Sequence, residues 1–474
     1  MVRFAKESDS NSLRHSTLSL RLIFLLLAVV CASAAVASSA SAAPRVYVGL
    51  LDDEALRWGH GRTAAWQQLD QSHASVVRTI VDWSHVAPTR PRNARNPFDR
   101  AYHFGDVDQF VATADRRGVE VLVTIWGTPG WANGHRKPNV PPTHAKDFEA
   151  FAHALATRYS GAYPTLGFVK FVSIWNEPNT RRFLDAASRP AAYAALVRAG
   201  YRGVKSGSPT TLVAAGETAA SHCPAWFVSG LARIAPDLPF DAWAHHPYPH
   251  TPDGGPEEEQ SWPDVGLTSL QRFDDHVSEA FHRERTPLWL SEYAESRPAV
   301  SPERIADDLE RAVELASEVP SVTMFVWFML QNHRGEPWQS GLVGGRAFHT
   351  FRSAASALDP RNGRLLWRNG SRPLVVQVAA RELRAYGQTF QNLAVTYTLV
   401  GCEAETTQTG DVARMQRNGY VPVVVQPADI HPSKLVIVLR NASGRRVERR
   451  FDLVHDDATA PSGCAESSPR PSSS

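Results

Sequence analysis

Cysteine is scarce in this chain, with four in 474 residues: Cys31, Cys223, Cys402 and Cys464. No Cys-x-x-Cys pair and no Cys/His cluster occurs, and the adjacent His245-His246 lacks a third ligand, so no metal site is expected. Charge of one sign is missing too. Lys and Arg number 50 against 48 Asp and Glu, a formal balance of +2, which leaves no field to recruit nucleic acid or an anionic membrane. Long apolar runs are confined to Leu22–Ala32, shorter than the roughly 20 residues that span a bilayer. No Gly-x-Gly-x-x-Gly follows a strand-like run, which counts against a dinucleotide fold, and no cofactor is expected.

What is present begins with a leader. Arg3, Lys6, Arg14 and Arg21 precede the apolar run, and small residues follow it to Ala40-Ser41-Ala42. This is a signal-peptide layout, predicting cleavage near Ala42 or Ala43 and an extracellular protein with no integral membrane span; an uncleaved anchor is the alternative. Export would remove Cys31 and leave three cysteines, of which Cys402 and Cys464 are the pair placed to pin the tail.

From Arg45 onward, short β-favouring runs alternate with longer segments of helical period, the pattern of βα units. Eight runs are predicted as strands: Val46–Leu51, Val76–Val81, Val119–Trp126, Phe168–Trp175, Thr211–Ala215, Ala242–His245, Pro287–Ser291 and Val322–Phe328. The expected fold is α/β, a (β/α)8 TIM barrel over residues 44–388 with a small C-terminal antiparallel β domain. After Trp327 a long loop, His333–Arg372, is expected to cover one rim, and a helical segment is read over Pro373–Tyr386. The β domain, read as sandwich-like, is placed at 389–454 and a disordered tail at 455–474.

In such a barrel the active site lies where the strands end, so the residues delivered there decide the chemistry. Strand two carries Arg78, strand three ends in Trp126, strand four in Asn176-Glu177, strand six in His245-His246-Pro247-Tyr248, strand seven in Glu292, and strand eight holds Trp327. Two carboxylates therefore emerge, from strands four and seven. A carboxyl pair across a cleft serves glycoside hydrolysis, and the 13 Trp supply faces on which a pyranose can stack; Trp126, Trp131 and Trp327 are the platform candidates. Glu295 competes with Glu292 but follows the apolar run less closely. Glu217, after strand five, is placed to line the cleft without an assigned reaction.

The set Arg78, Asn176-Glu177, His246-Pro-Tyr248, Glu292 and Trp327 resembles the signature of glycoside hydrolase clan A, whose members are retaining enzymes on (β/α)8 barrels. The stretch Thr128–Ala132 and the Trp-Asn-Glu-Pro motif are most similar to family 39 and neighbouring family 5. The resemblance covers roughly Arg45–Phe328. It implies Glu177 as general acid/base and Glu292 as nucleophile, with Asn176 on the sugar 2-hydroxyl, Tyr248 holding Glu292, His246 bracing the acid/base and Arg78 keeping Glu292 ionised. The expected activity is that of a secreted retaining glycoside hydrolase, acting without a cofactor on a β-linked oligosaccharide, polysaccharide or glycoside. A transglycosylase and a non-catalytic carbohydrate-binding protein on a degenerate barrel remain as alternatives, and the oligomeric state is left open.

Overall fold

The computed structural model describes residues 46–163, 165–296, 299–335, 338–361, 364–367, 373–383, 391–401, 405–416, 419–426 and 432–455. The expected leader, the expected tail beyond His455, and Cys31, Cys402 and Cys464 lie outside the described residues. Cys223 is a free thiol. No helix among the described residues is long and apolar enough to cross a membrane.

Eight parallel strands close into a barrel in sequence order. They are β1 (Tyr47–Leu51), β2 (Val76–Asp82), β3 (Glu120–Trp126), β4 (Phe171–Ile174), β5 (Leu212–Ala219), β6 (Ala242–His246), β7 (Leu288–Tyr293) and β8 (Val322–Trp327). A helix follows each: α1 (Arg62–Ser72), α2 (Gly105–Arg116), α3 (Ala145–Arg158), α4 (Arg189–Gly207), α5 (Pro224–Ile234), α6 (Leu270–Ala280), α7 (Pro302–Glu318) and α8 (Arg346–Leu358). All eight sequence-predicted strands are found, and β1 pairs with β8 to complete the closure.

Strand side chains alternate between two separate cores, as their period of two requires. Leu51, Val76, Leu122, Phe171, Ala214, Ala242, Ala244, Trp289, Met324 and Val326 form one cluster drawn from every strand and no helix, which only the barrel interior permits. Their neighbours, such as Val77, Val123, Ile174, Val213, Trp243, Leu290 and Trp327, pack outward with the helices. Two residues beyond the inward apolar layer the sequence turns polar, placing Arg78, Thr124, Ser173, His246 and Ser291 one layer nearer the mouth. All five are buried.

The C-terminal part differs from the expectation in three places. The eighth helix is α8, inside the stretch read as loop; it buries only Ala347, Phe351 and Ala355, a stripe too thin to give a clear helical period. Residues read as the Pro373–Tyr386 helix instead contain a strand, β10 (Leu374–Ala379), whose valines favour extended backbone. The β layer also begins before residue 389, because β9 (Arg364–Trp367) and β10 both pair with later strands.

Those strands are β11 (Asn392–Gly401), β12 (Glu405–Arg414), β13 (Tyr420–Val425), β14 (Pro432–Arg440) and β15 (Arg446–His455). A five-stranded sheet runs β12-β11-β14-β15-β9, antiparallel except for β15–β9, and β10 pairs antiparallel with β13. The two sheets share one apolar cluster, including Val376, Val378, Val421 and Val423 from the smaller and Val395, Leu435, Ile437 and Phe451 from the larger. This domain meets the barrel at its floor. Lys170, just before β4, donates to the hydroxyls of Tyr47 (2.7 Å) and Tyr420 (2.6 Å), and the Tyr420 hydroxyl reaches Glu120 at the start of β3 (3.3 Å).

A half-buried ammonium stripped of one such partner costs stability, since hydrogen bonds to charged groups contribute about 1.5–3 kcal/mol. Tyr420→Phe is expected to lower the unfolding free energy by about that amount, read from the urea midpoint, while kcat/KM stays unchanged because the mouth lies at the opposite end.

Candidate active site

The polar layer at the mouth is assembled around Arg78, which is fully buried. Its Nε donates to Thr124 Oγ1 (2.9 Å), and Nη1 donates to Glu292 Oε2 (2.7 Å) and the Ser291 carbonyl (3.1 Å). Nη2 donates to Asn176 Oδ1 (2.9 Å) and Glu217 Oε2 (3.0 Å). Burial opposes the charge, but Glu217 and Glu292 more than offset it and raise the Arg78 pKa. A guanidinium can only donate, so it fixes the Asn176 amide with Oδ1 toward Arg78 and leaves Nδ2 as the donor for another partner.

Two local breaks in strand geometry aim the carboxylates. The β5–β6 register shifts between Gly216 and Thr218, and the backbone turns left-handed at Gly216 (φ 98°) and Glu217 (φ 48°). The alternation is thereby reset: Thr218 faces His245 in the outer layer while Glu217 enters the polar network. A side chain at Gly216 is excluded, since its Cβ would fall 2.4 Å from the Ala244 carbonyl oxygen. A similar shift between Leu290 and Tyr293 sends Tyr293 into the outer core and Glu292 to Arg78. At the end of β4, Trp175 (φ 70°) and Glu177 (φ 40°) are also left-handed, and the Glu177 amide donates to the Glu217 carbonyl (2.9 Å).

His246 joins the two sides. Its Nδ1 lies 3.2 Å from Glu177 Oε1 and its Nε2 lies 2.6 Å from Glu217 Oε2. Burial by itself would lower the pKa of this ring, but Glu292, Glu177 and Glu217 raise it to about 9. Burial would likewise raise Glu217, yet Arg78 and His246 hold it down at about 2. His245 faces away, toward Thr218 and the Val265 carbonyl, and burial drives it down to about 3. Tyr248 donates its hydroxyl to Glu292 Oε1 (2.9 Å), and burial together with the Glu292 charge raises its pKa, so the phenol keeps its proton.

Four glutamates follow the strand ends, and exposure separates them. The Glu177 and Glu292 side chains are 19% and 16% exposed, whereas Glu217 is wholly enclosed and Glu295 is 1% exposed. Glu295 accepts from Tyr293 on the outer side of β7, and burial followed by the nearby Asp308 carboxyl pushes it up to about 9. Of the two glutamates read after strand seven, Glu292 reaches the network at the mouth and Glu295 does not.

The aromatic candidates fare unevenly. Trp126 is half-buried at an inward position of β3, its indole donating to the Phe183 carbonyl (3.3 Å). Trp131 is half-buried and tied down by Trp83, by Arg90 at 4.5 Å and by a bond to the Ala87 carbonyl. Trp327 does not serve as a platform: it is fully buried in the outer core and donates to the Ser340 carbonyl (2.9 Å). Alternation is the reason, because Met324 and Val326 point inward and Trp327 falls on the opposite face. Phe328, the next inward position, is the half-buried aromatic strand eight supplies. Trp338 went unnoticed in the sequence and packs edge-on to Tyr248 at 5.5 Å from the loop after β8. Its position in that rim loop was the available signal. No group of His, Cys, Asp and Glu among the described residues is arranged to hold a metal.

A family model for cellulase, glycosyl hydrolase family 5, matches residues 50–331, more than half of the chain and every residue of the polar network around Arg78. The chain belongs to glycosyl hydrolase family 5. Among solved structures, it is similar to a family 39 glycoside hydrolase from the gut symbiont Bacteroides cellulosilyticus WH2, with TM-score 0.51 and 18% identity over 81% of this chain and 79% of the other. It is also similar to a glucosidase from Croceicoccus marinus, with TM-score 0.52 and 14% identity over 84% and 76%. At those identities the likeness concerns the fold. No curated protein matches the chain. The family 5 chain is a glycosidase, with a carbohydrate as its substrate, and the clan A resemblance read from its strand ends is the right one.

Two protons of this glycosidase give its stability a defined pH dependence. Glu295 and His246 are both raised in the folded state, so between pH 6.5 and 9 the native protein holds protons that the unfolded chain releases. Stability is expected to fall as pH rises through that window, by up to about 1.4 kcal/mol per pH unit for each group. Glu295→Gln, which is neutral in both states, should flatten the slope of Tm against pH without moving its acid side below pH 4.

Proposed function

We propose that this glycosidase is an exported, retaining enzyme that cleaves β-linked sugars by double displacement, with Glu292 as nucleophile and Glu177 as general acid/base. The observation that carries the reading is the accessibility of these two carboxyls alone among the four at the strand ends, both bound into one network. Glu292 has a donor on each oxygen, Tyr248 on one and Arg78 on the other, which suits a carboxylate that must stay ionised and hold its aim. Export rests on the leader sequence. The β linkage rests on the clan A resemblance of the strand-end residues, and the family that matches is named cellulase.

In the first step Glu292 Oε attacks the anomeric carbon while Glu177 gives its proton to the departing glycosidic oxygen, leaving a glycosyl ester on Glu292. The Asn176 Nδ2 group donates to the sugar 2-hydroxyl, a contact that strengthens as positive charge builds on the ring. In the second step Glu177, now a carboxylate, takes a proton from water as the water oxygen attacks the same carbon and releases Glu292. Phe328, Trp126 and Trp338 offer apolar surface for the sugar faces. No bound group beyond substrate and water is needed.

The two glutamates are expected to fail differently. Glu292→Gln abolishes the glycosyl-enzyme, so activity on every substrate should fall by at least about 10⁴-fold. Glu177→Ala should still be loaded by a nitrophenyl glycoside, which leaves without protonation, and then stall. Azide should rescue that variant and yield a β-glycosyl azide, with no comparable product from Glu292→Gln. Release of sugar with inverted configuration by the wild type, followed by NMR, would overturn the assignment.

A further inference from the structure

The reaction just described uses two carboxylates, yet the network holds a third, Glu217. It is completely buried, sits in left-handed backbone next to a glycine that no other residue can replace without a clash, and accepts three bonds on Oε2 alone. Those bonds come from Arg78 (3.0 Å), His246 (2.6 Å) and Ser291 (2.8 Å), on three different strands. Its carbonyl takes the Glu177 amide from a fourth. A charged side chain in that position is costly to bury, and neutralising Arg78 does not by itself require the contact with His246.

We propose that Glu217 is a positioning residue for the glycosidase reaction, a buried anion that fixes the Nε2 proton of His246 and so keeps Nδ1 engaged with Glu177, while steadying the Arg78 fork on Glu292 and Asn176. The inference rests on Glu177 being the acid/base. Its logic lies in the ring between two carboxyls. A carboxylate only accepts, so Nε2 must carry hydrogen toward Glu217, and Nδ1 then shares a proton with Glu177: either the imidazolium donates to a carboxylate or a neutral Nδ1 accepts from a carboxylic acid. Only the imidazolium form leaves a proton free for the reaction: Nδ1–H donates to Glu177 Oε1 in both steps, while the proton that Glu177 gives to the leaving oxygen and later takes from water is carried on Oε2. With Nε2–H pinned to Glu217, the ring keeps that orientation as Glu177 passes between acid and carboxylate.

The groups facing His246 are Glu177 from the β4 end, Glu217 from β5 and Glu292 from β7, with Arg78 behind Glu217. His245, beside it on β6, points outward and is held neutral. Three carboxyls against one ring explain why it favours the charged form, and Glu217 is the one of the three with no exposure. Removing that charge in a side chain of the same shape weakens the imidazolium and frees the ring to adopt either tautomer.

The test compares wild type, Glu217→Gln, Glu217→Asp and Glu177→Ala on two substrates, a nitrophenyl glycoside and an alkyl glycoside with a poor leaving group. Folding of each variant is checked by circular dichroism and urea midpoint. Glu217→Gln is expected to lower kcat/KM for the poor leaving group by about tenfold or more while the nitrophenyl substrate loses much less. The basic limb of its pH profile should move down by about one unit, as His246 loses its counter-anion. Glu217→Asp, which restores the charge, should return the limb toward wild type. Equal losses on both substrates with an unmoved pH profile would show that Glu217 only neutralises Arg78, and the inference would fall. A Glu217→Gln variant that does not fold leaves Glu217→Asp to decide: a wild-type limb together with wild-type leaving-group dependence supports the inference, and a limb displaced as far as one unit despite the retained charge overturns it. Glu177→Ala is the separate control, since loss of leaving-group dependence there would instead refute the acid/base assignment.

Discussion

A guanidinium enclosed in a barrel has to find anions, because nothing else in that interior compensates its lost hydration. Arg78 meets this need with Glu217 beneath and Glu292 beside it, and the remaining features of the mouth follow from the arrangement. Glu292 cannot turn away without leaving Arg78 short of a partner. Asn176 cannot flip its amide. Glu217 cannot release His246 without its Oε2 losing the shortest of three bonds. The positions of the two accessible carboxyls are thus consequences of satisfying one buried cation.

Regular strands would not deliver these groups. On β5 and β7 the alternation expected from the inward layer puts the carboxylates on the wrong side, and each strand corrects it by a register shift just before the mouth. Left-handed backbone at Glu217 belongs to the same correction, and Trp175 and Glu177 adopt it at the end of β4. Such conformations cost of order 1 kcal/mol or more each for residues other than glycine, and they persist where surrounding contacts over-determine them. At Glu217 and Glu177 those contacts include the ion pairs to Arg78 and His246, whereas Trp175 is held by its indole bond to the Phe183 carbonyl.

Much of this was legible in the sequence, and the exceptions share causes. The eight barrel strands stand out because each is an apolar, β-favouring run between helical segments, and the identities of Arg78, Asn176, Glu177, His246, Tyr248 and Glu292 as strand-end residues follow from where those runs stop. Trp327 was misplaced because nearness to a strand end says nothing about which face a side chain takes, and only the parity with Met324 and Val326 decides that. Glu217 stayed without a role because a bulge resets parity invisibly in sequence. Helix α8 and strand β10 were missed for thin or misleading patterning, and β12, a polar strand with Glu405, Gln408 and Asp411 along it, has no inward apolar face to reveal it.

The two ends of the barrel solve the same problem with opposite consequences. At the floor, the half-buried Lys170 ammonium is held by Tyr47, Glu120 and Tyr420, and the last of these comes from the C-terminal domain, so the barrel borrows a hydroxyl from that domain at its base. At the mouth, Arg78 finds all its partners within the barrel, and the network opens upward through Glu177 and Glu292 instead of being capped. Exposure alone does not separate the two ends, since the Lys170 side chain is 19% exposed, as is that of Glu177. What separates them is the kind of group presented: the floor gathers two phenol hydroxyls and one carboxylate around a single cation, whereas the mouth presents two accessible carboxyls on one network, the pair that a nucleophile and an acid/base require.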